Sequence, residues 1–181
     1  MRRGLQRRGR HRGFTIIEIL VTLTVLGLLI KMALPSFSEA LQNQQLRAAS
    51  EALLNGMQVA RGEAVKRNLP VQVAVGPGTG WTVTEAVSGT AIQARSKDEG
   101  SPNAVVAITP AGATKVTFTP LGGVGANLDG SASITQLNIS NPGGGACQPS
   151  GPMRCLRVVV SGGGSLKMCD PAVSSPDPRA C

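Results

Sequence analysis

Tyrosine is missing from this chain, and one Trp and three Phe bring its aromatic content to only 2% of 181 residues. A core built from it must be filled by Val, Ile, Leu and Ala. Those residues suit short strands joined by tight turns, for which 23 Gly and 12 Pro are available. So few rings also leave almost no platform for stacking single-stranded bases. Histidine is nearly absent: His11 is the only one. Everything after it lacks the imidazole of a Ser–His or Cys–His pair and of any His-ligated metal site. The acids are scattered, with no pair brought together by periodicity for general acid–base work. Asp98 and Glu99 are adjacent in a Ser/Gly/Pro-rich stretch and read as a solvated turn. Neither Gly143–Gly145 nor Gly162–Gly164 has the spacing of a phosphate loop or opens a helix. The expectation is a chain with no catalytic residues, no cofactor and no metal.

The net charge of +8 suggests a polyanion partner until its distribution is read. Arg2, Arg3, Arg7, Arg8, Arg10 and Arg12 lie in the first 13 residues with no acid among them; removing these six from 18 basic residues leaves 12 against 10 acids. The excess is a short N-terminal feature of the kind that addresses a chain to a membrane.

Residues 14–34 are apolar over about 21 positions, interrupted by Glu18 and Lys31. At about 1.5 Å per residue such a helix crosses a bilayer core of about 30 Å. Lys31 can snorkel to an interface. The basic flank predicts a cytoplasmic N-terminus and an external remainder. Pro35 marks a kink. Beyond it Phe37, Leu41, Ala49, Leu53, Met57, Ala60 and Ala64 recur at mostly three- and four-residue intervals, with Gln42, Gln45, Arg47, Glu51, Arg61 and Lys66 largely on the other faces. Residues 14–67 thus read as one helix of about 80 Å, ended by Asn68 and Pro70.

The period then changes to two. Residues 69–75 and 81–87 form a hairpin around Gly76, Pro77, Gly78 and Gly80, with Trp81 as a packing residue. Further strands are expected at 104–108, 115–119, 133–139, 155–160 and 165–169, the last two joined through Gly162–Gly164. Cys147, Cys155, Cys169 and Cys181 follow at intervals of eight, fourteen and twelve, which are not zinc spacings. In a chain that leaves the cytoplasm they read as two disulfides. Cys147–Cys155 and Cys169–Cys181 is the favoured pairing, since each closes a local Pro/Gly-rich loop. The main rival nests Cys155–Cys169 inside Cys147–Cys181.

An ordinary signal peptide has a shorter apolar stretch followed by a small-residue cut. Here Gly13-Phe14-Thr15-Ile16-Ile17-Glu18 follows the arginines, and the apolar stretch runs on into an amphipathic helix. These residues, with Pro35, resemble the prepilin signature. The resemblance implies cleavage between Gly13 and Phe14 by a prepilin peptidase, N-methylation of Phe14, and retention of the apolar segment for anchoring and assembly. A carboxylate in an apolar zone costs about 2.5–3.5 kcal/mol and needs a partner. The amino terminus of a neighbouring subunit would supply it to Glu18 and set the register between helices.

The later segments 58–68, 116–124, 157–171 and 177–181 resemble the FimT/GspH branch of minor pilins and type II secretion pseudopilins. The resemblance covers nearly all of residues 13–181. It implies an α+β fold, a long helix packed on an antiparallel β-sheet head. The divisions are a leader at 1–13, a membrane and assembly helix at 14–35, its amphipathic continuation at 36–68, and a periplasmic head at 69–181. The implied partners are other pilin or pseudopilin subunits and the inner-membrane assembly machinery, whose ATPase supplies the energy. The implied location is the bacterial inner membrane, then a pilus or pseudopilus. Members of the branch are linked to DNA uptake through a Gly-Arg-x-Arg-like stretch before a late cysteine. Gly164-Ser165-Leu166-Lys167 keeps only one of its cations. With Arg154 and Arg157 it offers about three phosphate contacts, hence weak, salt-sensitive binding. Solvated strand cations are the preferred reading of these residues, and nucleic acid the alternative partner.

Overall fold

The structure, a computed structural model, describes residues 13–181. His11 and the arginines of the expected leader lie outside the described residues. The chain divides into two compact units, Met1–Ser38 and Glu39–Cys181.

In the first unit Gly13 and Phe14 precede helix α1 (Ile16–Arg67). α1 starts two residues later than expected, because Thr15 caps it. The Glu18 N–H donates to Thr15 O at 3.1 Å and to Thr15 Oγ1 at 3.3 Å. The helix is assigned without interruption across Pro35. Every large apolar side chain from Ile16 to Leu34 is exposed, and the helix is long and apolar enough to cross a membrane. Its hydroxyls are already satisfied. Thr22 Oγ1 donates to Ile19 O at 2.9 Å and Thr24 Oγ1 to Val21 O at 2.8 Å, which removes two polar groups that hydrocarbon would penalise.

In the second unit α1 continues with one buried face: Leu46, Ala49, Ser50, Leu53, Met57, Ala60 and Ala64 are each 0–1% exposed. The stripe begins later than the sequence suggested, since Leu41 is 43% exposed. Asn68, at φ 55°, takes the left-handed conformation that ends a helix, and the Leu69 N–H returns to Ala64 O at 3.3 Å. Nine strands follow: β1 (Val71–Val75), β2 (Trp81–Glu85), β3 (Ala91–Arg95), β4 (Val105–Thr109), β5 (Lys115–Phe118), β6 (Val124–Gly125), β7 (Gln136–Ser140), β8 (Leu156–Val160) and β9 (Leu166–Cys169).

The strands form two antiparallel sheets rather than one, ordered β3-β2-β1-β5-β6 and β4-β7-β8-β9. Alternation decides which side chains go inward. In the first sheet Val73 pairs with Val83 and Val116, and Val75 with Trp81. In the second Ile139 pairs with Val106, and Leu137 with Ile108 and Val158. These residues share one core cluster with the buried face of α1. Phe118 is its fully buried ring. The expected hairpins stand: Gly76 N–H donates to Gly80 O at 2.8 Å, and Ser161 N–H to Ser165 O at 3.0 Å. Two strands had not been expected. β3 is an edge strand with an exposed, irregular pattern and a register shift opposite Val83/Thr84. β6 has only two residues, one of them Gly125. β7 starts at Gln136, where Ser133 had been expected.

Candidate functional site

Phe14, at the start of the first unit, is 80% exposed. Glu18 sits in the first turn of α1, and no described side chain reaches its carboxylate. Its backbone N–H completes the Thr15 cap. The Thr-x-x-Glu spacing at 15–18 was the signal for this and went unread as a capping pattern. A carboxylate in the first turn also suits the positive end of the helix dipole.

In the second unit the cysteines pair locally, Cys147 with Cys155 and Cys169 with Cys181, at Cα–Cα distances of 5.4 and 5.1 Å. Cys169–Cys181 closes a C-terminal strap, residues 170–181, beside β9. The Asp170 N–H donates to Arg179 O at 2.8 Å, and Lys167 Nζ donates to Ala180 O at the same distance. Arg157 Nε donates to Asn138 Oδ1 at 2.6 Å. Of the three sequence-selected cations, Arg157 and Lys167 are therefore drawn into contacts within the sheet and strap. Arg154 lies exposed in the loop before β8. Arg157 faces Cys169 and Lys167 faces Val159, so the two strand cations share the outer face of the second sheet.

Sequence reasoning missed a set of amides on α1. Asn43 Oδ1 accepts from the Arg154 N–H at 2.7 Å while Asn43 Nδ2 donates to Pro152 O at 3.3 Å. Gln42 Oε1 accepts from Asn141 Nδ2 at 3.2 Å, and Gln45 Oε1 from Asn103 Nδ2 at 3.4 Å. Two loops of the head are thus held to the helix by neutral groups. At the other end of α1 the fastening is ionic. Arg67 bonds Glu63 at 2.5 Å and Glu85 at 2.9 Å. The Arg67 hydrogen bond is the main cause holding Glu63 below the usual carboxylate range; the Ser88 hydroxyl, then Arg67, lower Glu85. Among the described residues no cluster of His, Cys, Asp or Glu could hold a metal ion.

The first unit presents an apolar helix surface, and the second a β head stapled by two disulfides. The family model for Type II transport protein GspH matches residues 49–164, most of the head. The chain belongs to the GspH family. A second family model, the prokaryotic N-terminal methylation motif, matches residues 8–33, spanning Gly13, Phe14 and Glu18. Two crystal structures of the Pseudomonas aeruginosa type IV minor pilin FimU are similar to this GspH-family chain. One shows 17% identity over 72% of this chain and 97% of that one, with a TM-score of 0.48. The other shows 19% identity over 74% and 94%, with a TM-score of 0.49. No curated protein matches the chain.

Proposed function

We propose that this chain is a non-enzymatic minor subunit of a type IV pilus or of a type II secretion pseudopilus. The observation that carries the reading is an apolar helix with every large side chain from Ile16 to Leu34 exposed, lying almost wholly within the match to the methylation motif. Such a surface is stable only in a bilayer or against other apolar helices. A prepilin peptidase removes the leader after Gly13 and the new amino terminus of Phe14 is methylated. The helix anchors the protein in the inner membrane with its head outside, until the assembly machinery moves it into a filament. Inside that filament the Glu18 carboxylate pairs with a neighbour's amino terminus, an interaction strengthened by the low dielectric around it.

Nucleic acid is not the partner this reading favours. Arg157 is half-buried and donates to Asn138; Lys167 donates to Ala180 O but stays exposed, as does Arg154, so two exposed cations remain of the three. Two phosphate contacts confer little affinity, and that is salt-sensitive.

Co-expression with a prepilin peptidase and its filament machinery tests the proposal. The wild-type chain should lose its leader and appear in the sheared or purified filament fraction. Glu18→Ala should be processed but fall by about tenfold or more in that fraction, the loss expected for a buried ion pair. Equal incorporation of Glu18→Ala would remove the assembly role, and an unprocessed wild-type chain would remove the reading itself.

A further inference from the structure

The connection from β7 to β8, residues 141–155, has little regular structure of its own. It contains one 3-10 turn at Pro142–Gly144 and an isolated bridge between Cys147 and Met153. Three things hold it in place. The Cys147–Cys155 disulfide closes it. Met153, 1% exposed, plugs it into the core. Finally, α1 grips it through adjacent amides: Asn43 takes the Arg154 N–H and gives to Pro152 O, while Gln42 accepts from Asn141. Asn43 therefore reads a donor and an acceptor two residues apart on one stretch of backbone, much as a neighbouring strand would. It can do so only if residues 152–154 are presented in one geometry, and the next residue is the disulfide-bonded Cys155. Gly144 lies so close under Gln42 Oε1 and Met153 Sδ that a Cβ there would collide with both. The fit between loop and helix is tight.

We propose that Cys147–Cys155 is a redox clasp: oxidised, it holds the loop on Gln42 and Asn43; reduced, it releases the loop from α1 while both sheets stay paired. The second disulfide serves another place, since the strap it closes bonds to Lys167 and Asp170. Closing the clasp joins the two sulfurs. Two electrons and two protons pass to a disulfide-containing oxidant, which leaves as a dithiol; a dithiol reductant reverses the exchange. Cys155 is only 7% exposed and Cys147 is half-buried, so exchange starts at Cys147.

The test uses the full chain in detergent, oxidised, with tryptic cleavage after Arg154 read on a reducing gel and amide exchange read by mass spectrometry. Cys147→Ser/Cys155→Ser should speed the Arg154 cut by about tenfold or more and raise exchange across 143–154, with β1, β7 and β8 still protected. Asn43→Ala, with the disulfide intact, should give an intermediate rate. Cys169→Ser/Cys181→Ser should leave the Arg154 cut unchanged. A wild-type rate in either the Cys147/Cys155 variant or Asn43→Ala overturns the clasp. Loss of protection throughout both sheets in the Cys147/Cys155 variant overturns it as well, because the disulfide would then hold the whole fold.

Discussion

The backbone of Gly56 on α1 lies flat against the indole of Trp81 on β2: a Cβ at Gly56 would stand 2.8 Å from Cδ2 and Cε2 of the ring. Trp81 is 4% exposed, and its buried Nε1 has no acceptor among the described residues, so the ring contributes packing there. Gly56→Ala adds about 1 kcal/mol of helix propensity but forces the ring to move, at about 1–3 kcal/mol. The expected net is a loss of about 1 kcal/mol in urea unfolding. Trp81, the single tryptophan, reports it by a red-shifted emission. A stabilised Gly56→Ala would show that helix and sheet are not in close contact there.

Gly164, in the turn between β8 and β9, has φ +80°, and its Cα faces the backbone of Gly122 and Gly123 in the turn between β5 and β6. The Val124 N–H donates to Gly162 O at 2.9 Å across the same join. Gly164→Ala meets both a strained φ and a backbone oxygen with nowhere to move. It should cost about 2 kcal/mol or more. Gly163→Ala, with open space at its Cβ position, should cost about 1 kcal/mol or less by the same unfolding assay. Similar losses at both positions would contradict the contact between turns.

Arg157 and Arg154 should separate in a stability measurement. Arg157→Ala strips a partly buried hydrogen bond from Asn138 and should lower stability by about 1 kcal/mol. Arg154→Ala keeps the backbone N–H that Asn43 accepts from and should stay within about 0.5 kcal/mol of wild type. Equal, negligible effects would make Arg157 a solvated cation like Arg154.

Acid should loosen the head through its ion pairs. Glu63 and Glu85 are held below their ordinary range, Asp129 is lowered mainly by Lys115, and Asp177 is lowered to about 2 by Arg179. A depressed carboxylate contributes stability above its unfolded pKa of about 4 and loses it as pH falls through the folded value. Unfolding midpoints should be flat above about pH 5 and fall between about pH 4 and pH 2. Glu85→Gln should flatten that fall. The amide contacts of Gln42, Asn43 and Gln45 do not titrate and add nothing to it. A midpoint unchanged from pH 7 to pH 3 would contradict the ionic fastening around Arg67.

Much of this architecture was legible because it is local. The apolar run, the helical stripe, and Asn68 with Pro70 mark α1 to within two residues. The hairpin turns carry their glycines, and both disulfides close short loops. What escaped was long-range or lacked a period. β3 is an exposed edge with a register shift, and β6 is too short to show alternation. That there are two sheets depends on strand order, which periodicity does not encode. The grip of Asn43 on a loop 109–111 residues away leaves no pattern in a helical stripe, because it needs one polar side chain at one position. Lys167 is an exposed cation, but its bond to Ala180 O depends on the fold of the strap and leaves no local pattern.

The central claim is that the leader ends at Gly13 and that the apolar helix is kept. Intact mass and N-terminal sequencing of protein extracted from membranes, with and without reductant, address it most directly. The account predicts a chain starting at N-methylated Phe14, gaining the mass of four hydrogens on reduction as the two disulfides open. A retained Met1, or a start near Ala33 or Ala40 that discards the apolar segment, would contradict it.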